Sequence, residues 1–368
     1  MSWTAWAEAE LDAIRRADRW RATVAFDSRG VEGTLRGRDV IVFSSNDYLG
    51  LSQHPAVKRA AAEAAERFGA GATASRLVVG TRSVHEELER AIAAWQRTER
   101  ALVFPNGFAA NLSVLSVLGG PDVTVLSDEL NHASIIDGCR LSKATRKIYR
   151  HGDAGHLESQ LTATPGRKLV VTDSVFSMDG DVAPLEAIAA LCARHDALLV
   201  VDEAHAALGP DLADLPCELL RVGTLSKMLG ALGGWVAGSR SLIELLINRA
   251  RPFIYTTGLS PADTAAALAA LQICCSEEGA QLRAQLRRNV DMIAPSHPSP
   301  IIPVILGEDR AALEAAESLL QHGLYVPAIR PPTVPQGTAR LRIALSAAHT
   351  EPMLQRLREA LQSLGMQR

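Results

Sequence analysis

The chain has 368 residues, 47% of them hydrophobic and 21% charged, and its 38 basic and 41 acidic residues give a net charge of −3. This composition excludes a largely disordered chain and provides no broad positive surface for nucleic acid or an anionic membrane. A chain of this length can bury a large core and form at least two lobes. We therefore expect an α/β protein whose partners are small molecules or a second copy of itself.

Cysteine use and the N-terminal residues indicate the compartment. The five cysteines are scattered and none has C-x-x-C spacing, so neither a disulfide framework nor a metal site is expected. The N-terminal residues lack the basic and apolar regions of a signal peptide, and no uninterrupted apolar run approaches about 18 residues. These features predict a cytoplasmic protein that binds no metal.

The first residues predict an amphipathic helix followed by a hairpin. Between residues 3 and 22, apolar side chains from Trp3 to Ile14 recur at near-helical spacing among arginines. The glycines in residues 33–37 indicate the turn of a short hairpin. Together they make up the predicted N-terminal segment, residues 1–50.

The middle of the chain predicts a large α/β domain, residues 51–260. Ala-rich helical stretches alternate there with short β-branched or apolar runs, at residues 101–104, 123–126, 169–172, 198–201, 219–222 and 234–237. Strands that alternate with helices form βαβ units, so a mostly parallel sheet is expected.

The last third of the chain predicts a helical link and a smaller domain. Residues 261–293 are Ala-rich and then charged, and we assign residues 261–298 to a linking helix. Two further strands and two helices are expected in a small C-terminal domain, residues 299–368. No internal repeat or long linker interrupts this order.

The string Asp202-Glu-Ala-His205 follows an apolar run and has two interpretations. It matches the Mg²⁺-binding strand end of a helicase-type ATPase, but it also suits other sites at a strand end. An ATPase of that type needs a P-loop, G-x-x-x-x-G-K-[ST], to wrap the phosphates. The dipeptide Gly-Lys occurs nowhere in the sequence, so the ATPase interpretation is set aside.

Lys227 lies beyond the next apolar run and is followed by glycines, which suggests a lysine that forms a Schiff base with pyridoxal 5'-phosphate (PLP). A PLP enzyme also needs a partner for the pyridine nitrogen, often an aspartate. Asp202 suits that role, and His205 can reach the phenolic oxygen of the ring. Once an amino-acid substrate displaces it, Lys227 becomes an amine beside Cα that can act as a general base.

Three polar turns after predicted strands are candidates for the rest of such a site. Residues 104–111 supply a strand, a turn and a helix start whose N–H groups can bind phosphate, although a plain strand-to-helix turn fits equally well. His132 opens another helix, where it is either a cap or a side chain stacked on a ring. The polar residues at 173–181 are either turn formers or part of the site.

Taken together, these strings resemble the α-oxoamine synthases, PLP-dependent enzymes of the aspartate-aminotransferase-like fold, fold type I. The resemblance covers nearly the whole chain, including residues 44–52, and residues 328–342 are its most discriminating part. It implies a large domain with a mostly parallel seven-stranded sheet flanked by helices, a smaller C-terminal α+β domain and an N-terminal helix.

The resemblance also implies the cofactor site. The expected cofactor-binding residues are Gly107 and Phe108 at the phosphate, His132 stacked on the ring, Ser177 and His205 near its oxygen, Asp202 at the ring nitrogen, Thr224 at the phosphate, and Lys227. Lys227, His132, Asp202 and His205 are the expected catalytic residues. A hydroxyl of Thr256 or Thr257, with Thr257 favoured, is expected to reach the phosphate in the neighbouring subunit, so a homodimer would share its active sites.

The substrate contacts implied by the resemblance are Arg21, Asn46, His132, Thr333 and Arg342. Arg342 is the expected clamp for the amino-acid carboxylate, because a guanidinium can bind both oxygens at once. For Arg21 and Arg330, a solvated surface charge is the competing interpretation.

The implied reaction is the decarboxylative condensation of L-alanine with a pimeloyl thioester, carried by CoA or by an acyl carrier protein, in biotin synthesis. Glycine or another acyl-CoA, as in the 2-amino-3-ketobutyrate CoA ligases, is the alternative on the same fold. A non-enzymatic partner subunit is disfavoured because Lys227, Asp202 and His132 are all present. Residues 206–215 are shorter than the glycine-rich stretch of the family, and residues 69–76 carry alanine where the family has Gly or Ser. The acyl preference therefore stays open.

Overall fold

A computed structural model describes residues 2–212 and 215–366, which form two compact units. Among these residues, the small unit contains 2–48, 178–180 and 286–366, and the large unit contains the rest. The predicted division into four segments stays a prediction. No helix within the described ranges is both long and apolar enough to cross a membrane.

The helices and strands alternate along most of the chain. The strands are β1 (Phe26–Arg29), β2 (Glu32–Leu35), β3 (Arg38–Val42), β4 (Arg100–Phe104), β5 (Val123–Asp128), β6 (Thr145–Tyr149), β7 (Arg167–Asp173), β8 (Ala197–Asp202), β9 (Leu219–Thr224), β10 (Gly234–Gly238), β11 (Ile301–Gly307), β12 (Leu324–Tyr325), β13 (Ala328–Ile329) and β14 (Ala339–Ala344). The helices are α1 (Trp3–Arg16), α2 (Pro55–Phe68), α3 (Ser83–Trp95), α4 (Gly107–Leu118), α5 (Ala133–Leu141), α6 (Ala154–Thr162), α7 (Leu185–Arg194), α8 (Arg240–Arg249), α9 (Arg251–Ile254), α10 (Pro261–Cys274), α11 (Glu277–Ile293), α12 (Asp309–Gln321) and α13 (Glu351–Ser363).

The large unit is built on a seven-stranded sheet in the order β4-β10-β9-β8-β7-β5-β6. The five strands from β9 to β6 pair in parallel, whereas β10 runs antiparallel to both of its neighbours. The predicted seven-stranded, mostly parallel sheet is therefore confirmed. A parallel sheet with helices on both faces needs strands that are apolar throughout, as the Val- and Leu-rich central strands are.

The two faces of this sheet carry separate cores. Val200 packs in one cluster with side chains of α4, α5 and α8, while Leu199 and Val201 pack in another with α6 and α7. This alternation follows from the two-residue period of a strand, which sends successive side chains to opposite faces. Helices on both sides leave only the sheet's edges and strand ends for polar residues.

The apolar runs of the sequence do not predict β6, the edge strand. Of its five residues, Thr145, Arg146 and Ile148 are exposed and only Tyr149 is buried. An edge strand pairs on one side only and can face solvent, so it needs no apolar run. The hydrophobic pattern therefore carries no signal for it.

The small unit contains two sheets, β1-β2-β3-β12 and β11-β14-β13. The hairpin predicted around residues 33–37 is confirmed as the pair β2 and β3, which pair in antiparallel register. Its turn residues Arg36 and Gly37 both have positive φ, 51° and 76°, the conformation that a two-residue turn between twisted strands requires.

The single linking helix expected over residues 261–298 is wrong. The structure has two helices there, α10 and α11, separated at Cys275 and Ser276. The Ser276 N–H and Oγ both donate to the carbonyl of Ile273, at 2.9 and 2.7 Å, and so end α10. The turn is tight, because a Cβ on Gly279 would lie 2.4 Å from that same carbonyl oxygen. A period-based prediction cannot detect a break between two helices of similar composition.

Candidate active site

Polar residues of the large unit meet where its parallel strands end. Asp173, Asp202 and Thr224 are the last residues of three neighbouring strands, β7, β8 and β9. In open α/β sheets, the crevice beyond the carboxyl ends of the strands is the usual ligand site. A cavity of about 170 Å³ lies there, lined by Asn106, Gly107, Phe108, Asn111, His132, Ser134, Asp173, Asp202, Ala204, His205, Gly223, Thr224, Ser226 and Lys227.

The cavity brings together the predicted cofactor-binding residues except Ser177 and Thr257. Ser177 is half-buried and follows Phe176 in the turn after β7. Thr257 is exposed and forms an isolated antiparallel bridge with Ser75. Its position outside its own subunit's cavity leaves it available for the expected contact in a neighbouring subunit.

Asp202 is 6% exposed and its carboxylate is held by two donors. The side-chain amide of Asn111 donates to Oδ2 at 2.6 Å, and the main-chain N–H of Ala204 donates to Oδ1 at 2.8 Å. The same Asn111 nitrogen donates to Ser134 Oγ at 2.9 Å. Both carboxylate oxygens of Asp202 therefore have a hydrogen-bond donor inside the protein, which fixes the orientation of the side chain in the cavity wall.

Asn111 was missed by sequence reasoning as a site residue. It lies on α4, where it is 2% exposed and surrounded in sequence by apolar residues. A single buried amide in an apolar helix must find hydrogen-bond partners, and that need was the available signal. Its Oδ1 is buried and has no hydrogen-bond partner in the described ranges 2–212 and 215–366.

His132 begins α5 and connects the turn after β5 with that after β7. Its Nδ1 accepts from the Ser134 N–H at 3.2 Å, and its own main-chain N–H donates to Asp173 Oδ2 at 2.8 Å. Burial lowers the pKa of His132. The positive charge of Lys227 lowers this pKa further, whereas the negative charge of Asp202 raises it. His132 therefore caps α5, and its neutral ring lies in the cavity wall; its stacking on a cofactor ring stays a prediction.

Asp173 is a second buried carboxyl that the sequence did not assign to the site. Burial raises its pKa well above the ordinary value, and the negative charge of Asp202 raises it further. The hydrogen bond from His132 and the charge of Lys227 act in the opposite direction. The net effect of these groups is to favour the protonated form of Asp173.

The start of α4 packs directly on the backbone of β10. A Cβ on Gly234 would lie 2.4 Å from the carbonyl carbon of Asn106 and 2.5 Å from the nitrogen of Gly107. The Asn106 side chain caps the helix by accepting from the Ala109 N–H at 2.8 Å. The first residues of α4, Gly107 and Phe108, line the cavity, and a helix start of this kind attracts anions.

Thr224 and Lys227 belong to a loop that is fixed by its own hydrogen bonds. Thr224 Oγ1 accepts from the Ser226 N–H at 3.1 Å and donates to the carbonyl of Gly233 at 2.9 Å. The Gly230 N–H donates to the carbonyl of Lys227 at 3.0 Å, with Gly230 at φ 64°. The loop therefore presents the half-buried Lys227 side chain from a defined backbone.

Glu203, the residue after Asp202, forms a buried ion pair with Arg221. Both oxygens of Glu203 accept from Arg221, each at 2.6 Å, and both side chains are 7% exposed. Arg221 also donates to the carbonyl of Gln96 at 3.1 Å. Glu203 directly follows β8 and Arg221 lies within β9, so the pair joins these neighbouring strands, and neither residue lines the cavity.

The predicted substrate-binding residues other than His132 lie in the small unit. Arg342 on β14 is 6% exposed, and its Nη2 donates to Asn46 Oδ1 at 3.2 Å. Arg21 is exposed, and its Nη2 donates to the carbonyl of Pro331 at 3.4 Å. Thr333 is exposed in the same turn. The structure therefore pairs Asn46 with Arg342, and brings Arg21 to the turn that carries Thr333.

His151 connects two carboxylates near the strand ends of the large unit. Its Nδ1 lies 3.0 Å from Asp128 Oδ1 and its Nε2 lies 2.7 Å from Asp181 Oδ2, while the edge of Phe176 packs on the ring. Hydrogen bonds to Asp128 and then to Asp181 raise the pKa of His151 to about 10, against the effect of burial. The imidazolium thereby holds the turn after β7 to the end of β5.

The His151 bridge predicts a loss of stability at alkaline pH. The pKa of His151 is about 10 in the folded protein and 6.5 in the unfolded chain. The stabilisation of the folded state by this bridge is therefore fully present below about pH 6.5 and is lost as the pH rises towards 10. We expect the free energy of unfolding at pH 7 to be lower for His151→Gln than for wild type by roughly 1–2 kcal/mol, a range that allows for screening of the bridge by solvent. Denaturant unfolding at several pH values measures this, and the deficit relative to wild type should shrink by pH 10. A deficit independent of pH would contradict the bridge, and His195→Gln is the control.

The chain is similar over most of its length to known proteins of one family. The family model for aminotransferase class I and II matches residues 38–361. The 8-amino-7-oxononanoate synthase of Anaeromyxobacter dehalogenans is 49% identical over 367 residues, covering 94% of this chain and 91% of that protein.

Two solved structures share the fold. A serine palmitoyltransferase from S. paucimobilis with a bound PLP–myriocin aldimine superposes with a TM-score of 0.92 at 30% identity, covering 99% of this chain and all of that one. The 8-amino-7-oxononanoate synthase of Francisella tularensis gives a TM-score of 0.74 at 26% identity, covering 89% and 98%. The Anaeromyxobacter synthase, at 49% identity, is more similar in sequence to this chain than either of these two structures. The resemblance predicted from the sequence is confirmed: the chain belongs to the aminotransferase class I and II family and, within it, to the 8-amino-7-oxononanoate synthases.

Proposed function

We propose that this protein is a PLP-dependent acyltransferase that condenses L-alanine with a pimeloyl thioester to 8-amino-7-oxononanoate, CO₂ and free thiol, in biotin synthesis. The observation that carries the proposal is the cavity that joins Lys227 to the buried carboxylate of Asp202 and to the start of α4. The curated relatives of the chain support the choice of substrates, since their name states the product.

The residues of the cavity fit PLP by their chemistry. The cofactor has a phosphate, an aldehyde and a ring nitrogen that is protonated when it acts as an electron sink. The cavity offers helix N–H groups at Gly107 and Phe108 for the phosphate, the amine of Lys227 for the aldehyde, and Asp202 for the ring nitrogen. When bound, PLP supplies the electron sink that stabilises negative charge at the substrate's Cα.

Each of these side chains then has a defined task. Lys227 would hold the aldehyde of PLP through its amine, and this amine, once freed by the substrate, would take the proton from Cα and later return it. Asp202 keeps the proton on the ring nitrogen, and Asn111 holds its carboxylate in place through the 2.6 Å hydrogen bond. His132, whose pKa is lowered by burial, presents a neutral ring for stacking.

Four further residues are proposed to contact the substrate. Arg342 binds the carboxylate of L-alanine through its guanidinium, together with Asn46, to which it is hydrogen-bonded. Holding the carboxylate fixes which bond to Cα is aligned for cleavage, so that the C–H bond breaks first. Arg21 and Thr333 are further proposed substrate contacts.

A homodimer in the cytoplasm is part of the proposal. Thr257 is exposed beside Tyr255, which is 71% exposed, and this surface is where the neighbouring subunit's phosphate contact is proposed. The acyl carrier is CoA or an acyl carrier protein, since both present the same thioester. The shortened stretch at residues 206–215 includes Ala213 and Asp214, which lie outside the described residues.

Mass spectrometry of the reaction products tests the function. Purified protein with PLP is incubated with L-alanine or glycine and with a panel of thioesters: pimeloyl-CoA, pimeloyl-acyl carrier protein, acetyl-CoA and palmitoyl-CoA. We expect 8-amino-7-oxononanoate from L-alanine and at least one pimeloyl thioester. A faster condensation with glycine, or with a non-pimeloyl thioester, would instead assign the protein to a sister reaction of the same fold.

A further inference from the structure

Tyr48 is a buried residue that no assignment above uses. Its side chain is 0% exposed, and its hydroxyl donates to Asn46 Oδ1 at 3.1 Å. Arg342 donates to the same oxygen at 3.2 Å. An amide oxygen has two lone pairs, so these two donors together occupy its accepting capacity.

The two donors decide which way the amide of Asn46 faces. If the amide were rotated by 180°, its NH₂ group would face the guanidinium of Arg342, which has donors only. With Oδ1 held by Tyr48 and Arg342, the Nδ2 group is turned away from them with its two N–H donors. A carboxylate accepts hydrogen bonds only, so this orientation of Asn46 binds it and the opposite orientation repels it.

The backbone around Tyr48 is held independently of its hydroxyl. The carbonyl of Tyr48 accepts from the Ala347 N–H at 2.8 Å, and the carbonyl of Asp47 accepts from Ser346 Oγ at 2.7 Å. Phe43 is joined to the end of β14 in the same way, through the Ala344 N–H at 2.8 Å. Loss of the hydroxyl alone therefore leaves the segment in place and removes its hydrogen bonds with Asn46 and Arg342.

We propose that Tyr48 is a positioning residue: its hydroxyl fixes the amide of Asn46 beside Arg342, so that the pair is set to bind the carboxylate of the amino-acid substrate. This inference rests on the proposed substrate role of Asn46 and Arg342. Burial raises the pKa of Tyr48 to about 12, although the charge of Arg342 and a hydrogen bond with its side chain act to lower it. The phenol therefore keeps its proton in any assay near neutral pH.

The test is the binding of an amine with and without a carboxylate. The absorbance of the PLP-loaded enzyme is titrated with L-alanine and with ethylamine, for wild type and for Tyr48→Phe. We expect Tyr48→Phe to weaken L-alanine binding about 3- to 10-fold, the range for one hydrogen bond, and to leave ethylamine binding unchanged. The KM for L-alanine should rise by a similar factor with kcat nearly constant. Tyr325→Phe, in the same unit, is the matched control and should change neither constant.

A double-mutant cycle separates positioning from general structural support. If Tyr48 acts through Asn46, Tyr48→Phe should weaken L-alanine binding less in an Asn46→Ala background than in wild type. Additive effects in that cycle, or equal weakening for both amines, would overturn the inference. If Tyr48→Phe does not fold, Asn46→Ala alone decides, because an unchanged affinity for L-alanine there also overturns it.

The outcomes also separate this inference from the proposed function. A wild-type protein that binds no L-alanine would remove the proposed function itself. If wild type and Tyr48→Phe bind L-alanine with equal affinity, the proposed function stands and only the role of Tyr48 is refuted.

Discussion

Replacing Lys227 with alanine is expected to lower synthase activity by about 10²- to 10⁴-fold, the range for a general acid–base group, and to remove the covalent hold on the cofactor. The reason is that the variant lacks the amine that both anchors PLP and moves the Cα proton. Lys227 is the one lysine in the cavity wall within residues 2–212 and 215–366, so no neighbour can take over. Thiol release from pimeloyl-CoA measures the activity, and borohydride reduction followed by mass analysis of the protein measures the covalent attachment.

The control for Lys227 is an exposed lysine of the same unit. Lys58 on α2 is exposed, and Lys58→Ala should retain both activity and borohydride-trapped cofactor. A small primary amine added to the Lys227→Ala protein should restore part of the rate, because it replaces the missing base in the cavity. Wild-type thiol release by Lys227→Ala without added amine would refute the proposed role.

The parts of the site that could be predicted from the sequence are those at the ends of apolar runs. Asp202 and Thr224 are the last residues of buried strands, and parallel strands end at one edge of the sheet, where both residues line the cavity. The chain pattern pointed to Asp202, whereas Thr224 was implied by the family resemblance. The sheet was predictable for the same reason, because its central strands are apolar on both faces. The exposed edge strand β6 was not, since its stability comes from pairing with β5 and not from its own burial.

The contacts that tune the site could not be predicted, because they join residues far apart in the chain. Asn111 and Asp202 are 91 positions apart, and Asn46 and Arg342 are 296 apart. A period or a motif describes neighbours in sequence, whereas these pairs depend on how whole elements pack. The resemblance to a family carried Asn46 and Arg342, but it assigned nothing to Asn111 or Tyr48.

Asp202→Asn is expected to keep the fold and the covalent cofactor but to lose roughly 10²- to 10³-fold in activity, the range for one preorganised electrostatic group. An asparagine has the same shape, and its carbonyl oxygen can still accept from Asn111 at the 2.6 Å contact, but its NH₂ group cannot accept from the Ala204 N–H. The substitution therefore removes one hydrogen bond together with the negative charge that keeps the ring nitrogen protonated. The unfolding temperature should fall only slightly and borohydride trapping should match wild type, while thiol release falls.

Neighbouring groups report on the same loss of charge. Asp202 raises the pKa of both Asp173 and His132, so Asp202→Asn should lower both pKa values and shift the acid limb of the pH–rate profile to lower pH.

Asn111→Ala is the comparison variant, because it keeps the charge of Asp202 and removes only one donor to it. Its activity should fall by about 10-fold, the effect of one hydrogen bond to a charged group. Equal losses for the two variants would mean that the hold on Asp202, and not its charge, limits the reaction. A larger loss for Asp202→Asn with the shifted profile would assign the effect to the charge, because only that substitution changes the electrostatic potential at Asp173 and His132.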